Sequence, residues 1–269
     1  MFAAGVVAAL FASTTVRAAD DRTAKLEYAL YIGGFETIRV SFDAQLRAAD
    51  FKMKMALNGK GVLDWWFSWS MSAYSEGRLT DGDVIPVRAG AHSAWNGERR
   101  ELQLRYSGDG PPETTIRPSA VDDDRDDVPL PLRAGTRDLA GAVLAALSQL
   151  TKGETCSSKE PVFDGRRRYN LVLEHLGRED LQRNDYSVFS GPALRCRLEI
   201  DRVAGFKKNP RRQWSNADEA TLWIGHVSPN FPPVPVRLGL DTIFGAVRAH
   251  LVGATITVDG KTTQLATAP

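Results

Sequence analysis

What this chain has little of decides much of what it can be. Only four of its 269 residues are histidine and two are cysteine. His92, His175, His226 and His250 stand too far apart to ligate a metal from one element, and none has a cysteine close in sequence. There is no H-E-x-x-H, no G-x-S-x-G around a serine and no glycine-rich phosphate loop. No catalytic residue, metal ligand or cofactor is assigned, and the protein is read as a non-enzyme. No run of about 18 apolar residues follows the first few residues, so no transmembrane segment is expected. Charge of one sign is also missing: 34 Lys and Arg stand against 33 Asp and Glu. A nucleic-acid binder normally carries a basic excess, so nucleic acid is excluded as a partner. With no linker and no repeat, one domain is expected.

The chain opens with an uncharged apolar run, Met1 to Ala12, and reaches Val16-Arg17-Ala18. That is the hydrophobic region and small-residue cleavage site of a secretory signal, although the basic residues that usually precede it are missing. The expected organisation is a signal peptide over 1–18, one β-rich domain over 19–260 and a frayed polar tail over 261–269. Removing the leader takes away one base, Arg17, and leaves the charges balanced. The expected location is the periplasm. Thiols oxidise there, so Cys156 and Cys196 are expected to form one intramolecular disulfide. A reactive thiol is the alternative, because Arg195 and Arg197 flank Cys196.

From Lys25 onward the pattern has period two. Lys25–Ile32 and Phe35–Leu46 flank Gly33-Gly34 and predict a hairpin. Strands are also expected at Phe51–Leu57, Val84–Ala94, Arg99–Tyr106, Glu219–His226, Val234–Leu240, Gly245–Val252 and Thr255–Val258. Two more strand-like runs, Val162–Leu171 and Ala193–Val203, lie near the cysteines. Pro235 places an edge or a bulge at the start of its strand. Ser107–Asp127 reads as a loop, and its aspartates fail the EF-hand pattern because Asp127 and Arg133 occupy the required Gly and Glu positions.

The most aromatic stretch, Asp64–Tyr74, puts Trp65, Phe67, Trp69 and Met71 on one face of a strand. Such a face is either core or the wall of an apolar ligand cavity, since aromatic side chains dominate both. One helix is expected over Arg137–Leu150, capped by Thr136, with Leu139, Val143, Leu147 and Leu150 as its apolar stripe. The basic clusters Arg166–Arg168 and Lys207–Arg212 read as solvated charge, or as contacts for anionic lipid headgroups.

Several phrases together resemble a known family. They are Leu26-x-Tyr28-x-Leu30-Tyr31-x-Gly33-Gly34, the helix near Asp138, Val162-Phe163-Asp164-Gly165-Arg166-x-x-Tyr169, and Arg202-Val203-x-Gly205-Phe206 after Cys196. Trp223, Pro235-Val236-Arg237 and Asp241-Thr242-x-Phe244-Gly245 complete the set. In this order they resemble bacterial exported domains of unknown function of the DUF3108 type. The resemblance implies an envelope location and an antiparallel β fold, and supplies no catalytic residue.

The expected fold is all-β with one main helix: a strongly curved antiparallel sheet or open β-barrel wrapping that helix. The expected function is binding of an apolar ligand, a lipid or acyl chain. A structural or interaction protein of the envelope with a fully packed interior is the alternative, and an unrecognised hydrolase is third; the expected partner is a lipid or an envelope protein. If the disulfide forms, thiol titration of unreduced, denatured protein isolated from the periplasm finds no free thiol. Two free thiols would sink it.

Overall fold

The computed structural model describes residues 21–61, 69–80, 83–118, 125–150, 155–208, 219–242 and 245–266. The proposed leader, Trp65 and Phe67 lie outside these residues. Alternating residues become strands almost wherever they occur. The first arm runs β1 (Arg22–Ile32), β2 (Phe35–Leu46), β3 (Asp50–Gly59), β4 (Trp69–Thr80), β5 (Asp83–Trp95), β6 (Glu98–Arg105) and β7 (Glu113–Arg117). Each pairs antiparallel with the next. Gly33 and Gly34 make the first turn with φ of +58° and +89°, backbone that only glycine adopts without strain.

The second arm runs β8 (Ser158–Phe163), β9 (Arg168–Leu181), β10 (Gly191–Ala204), β11 (Glu219–Gly225), β12 (Val234–Thr242) and β13 (Gly245–Val258). It too is a meander, and β13 pairs with β1 to join the arms into one sheet. The spatial order is β7-β6-β5-β4-β3-β2-β1-β13-β12-β11-β10-β9-β8. β7 and β8 stand at opposite edges, so the sheet does not close on itself.

Two helices separate the arms, a short α1 (Leu130–Arg133) and α2 (Leu139–Leu150). α2 touches β4 and β5 on one arm and β8 and β9 on the other. One helix can reach both only if the sheet curls around it, which defines the concave side. Small residues let it approach closely. Ala142 belongs to one buried cluster with Val162 and Leu171, Leu144 and Ala145 to another with Leu26, Met53 and Leu251, and Leu147 to a third with Leu222 and Ile224. The fold class is therefore as expected: a curled, open antiparallel sheet wrapped around a helix.

Five local expectations change. The helix begins at Leu139, because the Arg137 backbone is held by β8: its N–H donates to Pro161 O and its O accepts from Phe163 N–H, both at 2.9 Å. Its cap is Asp138, whose Oδ1 accepts from Ala140 N–H (3.0 Å) and Gly141 N–H (3.2 Å). Thr136 instead turns its hydroxyl to Arg133 O. The run Val162–Leu171 is two strands with a turn at Asp164–Arg167, where Asp164 Oδ1 accepts the N–H of Arg166 and of Arg167. Gly165 lets that turn lie against β6, since a Cβ there would stand 2.3 Å from Leu102 Cδ1. β7 lies within the expected loop, and Lys261–Ala266, read as tail, forms β14 against β13.

Pro235 lies beside a register shift between Trp223 and Ile224, the expected bulge, but inside the sheet. Cys156 and Cys196 are bonded, with Cα atoms 6.1 Å apart. Cys196 of β10 stands opposite His175 of β9, and Cys156 arrives from the stretch just before β8.

Leu147 is 8% exposed, and an unpaired charge there would have to leave water without compensation. Leu147→Asp is expected to abolish cooperative folding, followed by circular dichroism and thermal melting. Val143→Ala, which removes two methyl groups, is expected to cost about 1 kcal/mol. A Leu147→Asp protein that melts cooperatively would place the helix on the surface.

Candidate functional site

Two features could carry function, and they share the concave face. The first is the junction made by Arg137 and Asp138. Arg137 donates from Nε to Val84 O (2.8 Å), pairs through Nη1 with Glu160 Oε2 (2.9 Å), and binds exposed Asp83 through Nη2. Glu160 is buried, and its other oxygen accepts from Gln149 Nε2 at 2.8 Å. One side chain thus joins β5, β8 and, through Gln149, α2. Asp138 caps α2 and accepts from Ser75 Oγ of β4 at 2.9 Å. Burial holds the Asp138 carboxyl above its ordinary range, only partly offset by those hydrogen bonds. The Tyr106 hydroxyl is buried without a partner, and burial pushes it well above the usual phenol range, helped by the Asp138 charge. Ser75 is fully buried and Asp138 is 7% exposed, and the carboxylate is taken up by the helix cap and by Ser75. It is a structural junction.

The second feature is a gradient along the concave face. The registers place Gly77, Phe51 and Leu46 in one row and Ser75, Met53, Ala44 and Ala24 in the next, and all are buried. Further along the same strands come Met71, Leu57 and Val40 in one row, then Trp69, Ile38 and Leu30. Every one of these later residues is only half-buried. Helix α2 fills the first part of the concavity, and beyond it the wall is apolar but incompletely covered. Of the expected ligand-face residues, Trp69 and Met71 stand on this wall, and Trp65 and Phe67 lie outside the described residues. The sequence period gave their face. It could not give the neighbours Val40, Leu57 and Ile38, which belong to the two preceding strands, β2 and β3, and join this wall only through strand pairing.

The other candidates contribute no chemistry. Arg167 is held by Asp164 in its turn, with Nη2 to Oδ2 at 2.6 Å. Arg168 donates to Leu132 O and to Asn170 Oδ1, and Lys208 pairs with Asp126. These bonds engage Arg167, Arg168 and Lys208, whereas Arg211 and Arg212 of the second cluster lie outside the described residues. Register aligns Ser72 with His92 and His92 with Glu101 on the outer face, a row invisible in the sequence. No hydrogen bond joins the three, and Glu101 accepts from Gln103 Nε2 at 2.6 Å instead. A hydrolytic relay needs nucleophile, base and orienting acid within reach of one another, so this row is surface pattern. A shallow groove of about 550 Å³ also lies on the outer face, lined by Asp43, Lys54, Ser72, Tyr74, Glu76 and Arg88. Met55, Ala56 and Ala73 line it as well, and it does not include Trp69 or Met71. Among the described residues no cluster of His, Cys, Asp or Glu could hold a metal ion.

The architecture defines a class, the β-barrel-like domains in which an incompletely closed antiparallel sheet encloses a helix. A beta-barrel-like protein of domain of unknown function DUF1849 from Brucella abortus, known from its crystal structure, is similar in fold. The two share 8% identity at a TM-score of 0.50, over 88% of this chain and 98% of that one. The protein belongs to the family described as protein of unknown function (DUF3108), whose model matches residues 27–252. No curated protein is significantly similar in sequence.

The raised Asp138 carboxyl makes stability depend on pH with a definite sign. The native state holds this proton more tightly than the unfolded chain, which releases it near the ordinary value of 3.8. Stability from this group is therefore full below that value and is lost as pH rises through the native pKa. Asp138→Asn keeps a good cap and a partner for Ser75 but removes the titration. Urea unfolding is expected to show the wild-type minus Asp138→Asn stability difference falling with pH, by at most about 1.4 kcal/mol per pH unit. A difference that rises with pH would refute the burial account.

Proposed function

We propose that the protein is a non-enzymatic, exported binder of an apolar ligand, a lipid or acyl chain, held on the concave face beyond helix α2. The observation that carries this reading is the gradient just described. A single face passes from dry core to half-covered apolar wall without changing chemistry. Apolar area left in water costs roughly 25 cal/mol per Å², and an acyl chain on that wall would recover part of it. Acyl chains need no hydrogen-bond partners, which fits a wall of Val40, Leu57, Trp69 and Met71. The leader-like opening and the Cys156–Cys196 disulfide support the periplasm as its place of work. Among the described residues no helix is long and apolar enough to cross a membrane.

The alternative, an envelope interaction protein with a packed interior, draws on the helix side, where Leu144 and Leu147 leave no room. The two readings differ over the wall beyond it. Native mass spectrometry of purified protein is expected to find co-purified lipid. Trp69→Ala is expected to weaken binding of a fluorescent fatty acid at least about fivefold while costing only about 1–2 kcal/mol, less than the 3–5 kcal/mol of a core tryptophan. A core-sized loss of stability with unchanged fatty-acid binding would favour the packed interior.

A further inference from the structure

The wall of the concavity continues outward to a rim, and the rim is aromatic. At this end β1 turns into β2, β4 begins, and β5 turns into β6. Phe35, at the Gly33-Gly34 turn, is 78% exposed, and Trp95, at the end of β5, is 49% exposed. Trp95 stands opposite Trp69 in the β4–β5 register, so both occupy the concave side. Phe35 stands opposite Ile32, and a register shift after Leu30 turns that pair to the same side. Lys60, Arg99 and Arg100 are exposed on the same turns, with Glu98 as the exposed acid among them.

Two large aromatic side chains, Phe35 and Trp95, keep much of their surface in water at one end of the sheet beside half-buried Trp69, and a concentration of apolar surface of this kind marks an interaction site. We propose that this rim docks on an anionic bilayer surface, with Phe35 and Trp95 entering the headgroup region. The inference rests on the ligand-binding reading above and adds where the ligand would be exchanged. Aromatic rings favour the membrane interface, where an apolar body meets polar headgroups. Lys60, Arg99 and Arg100 complement anionic headgroups at short range, each worth more at low salt. The wall runs from this rim to Val40 and Leu57, so an acyl chain leaving a docked bilayer would meet apolar surface throughout.

Flotation with vesicles of phosphatidylcholine, alone or mixed with phosphatidylglycerol, tests the proposal on the purified protein. Binding is expected to the mixed vesicles, with a blue shift of tryptophan emission. Phe35→Ser with Trp95→Ser is expected to lower partitioning at least about tenfold without changing the melting temperature. Phe35→Ser alone, at a fully open position, gives the same direction if the double variant misfolds. Lys60→Glu with Arg99→Glu is expected to reduce binding only to the vesicles containing phosphatidylglycerol. Failure of the unaltered protein to bind either vesicle would overturn the proposal, as would equal binding by the double variant. A dimer on size exclusion that Phe35→Ser dissolves, with no vesicle binding, would make the rim an interface between two copies. Fluorescent fatty acid in solution separates the two readings. Phe35→Ser, at the turn and away from Trp69, is expected to bind it normally, whereas vesicle docking with no fatty-acid binding by any form would defeat the ligand reading alone.

Discussion

The sheet does not close by pairing its edge strands, and the Arg137–Asp138 pair closes it by other means. The backbone of Arg137 is stitched to β8, and its guanidinium reaches β5. The carboxylate of Asp138 begins α2 and holds Ser75 of β4. Two adjacent residues therefore fix the distance between arms that are otherwise free to part. The energetics favour this point over the exposed ion pairs. An exposed pair such as Arg197–Glu174 is worth about 0–1 kcal/mol. Breaking the pair made by buried Glu160 would strand a charge, at roughly 3–5 kcal/mol.

Everything on the concave side follows from where that junction puts the helix. Its N-terminal end is fixed at β4 and β8. Past its C-terminal end the chain is fixed again, at Cys156 bonded to Cys196 of β10. Held at both ends, α2 lies across the concavity and fills one part of it with alanine and leucine. The remaining part keeps the apolar residues of the same strands without the helix to cover them. The half-covered wall is thus a result of helix length and anchorage, not of a separate sequence signal.

Period-two runs were legible because each strand of a meander has one core face and a neighbour close in sequence. The Gly33-Gly34 hairpin and the bulge at Pro235 were readable for similarly local reasons, and the cysteine pair because two cysteines allow one internal pairing. β7 was not, because Glu113–Arg117 is short, mostly polar and follows Pro111-Pro112. The helix start was misplaced because helical pattern continues back through Arg137, and only β8 prevents that residue from joining. The junction itself was out of reach. Ser75, Asp83, Val84 and Glu160 are scattered over the chain, and only their assembly shows why an arginine and an aspartate stand together. Of the aromatic run, the face of Trp69 and Met71 was legible, but its exposure depended on where the helix stops.

The pairing of β1 with β13 has a topological consequence. The spatial order of the strands is a rotation of their order in the chain: β8 to β13, then β1 to β7. The start of β1 lies opposite the end of β13, Arg22 beside Val258. The molecule is therefore a loop fastened twice, once covalently through the helical segment and once through a ladder of backbone hydrogen bonds. Spreading the mouth would leave both fastenings whole but would pull Arg137 from Val84 and Asp83, so the junction acts as the clasp of a book whose spine is the β1–β13 seam.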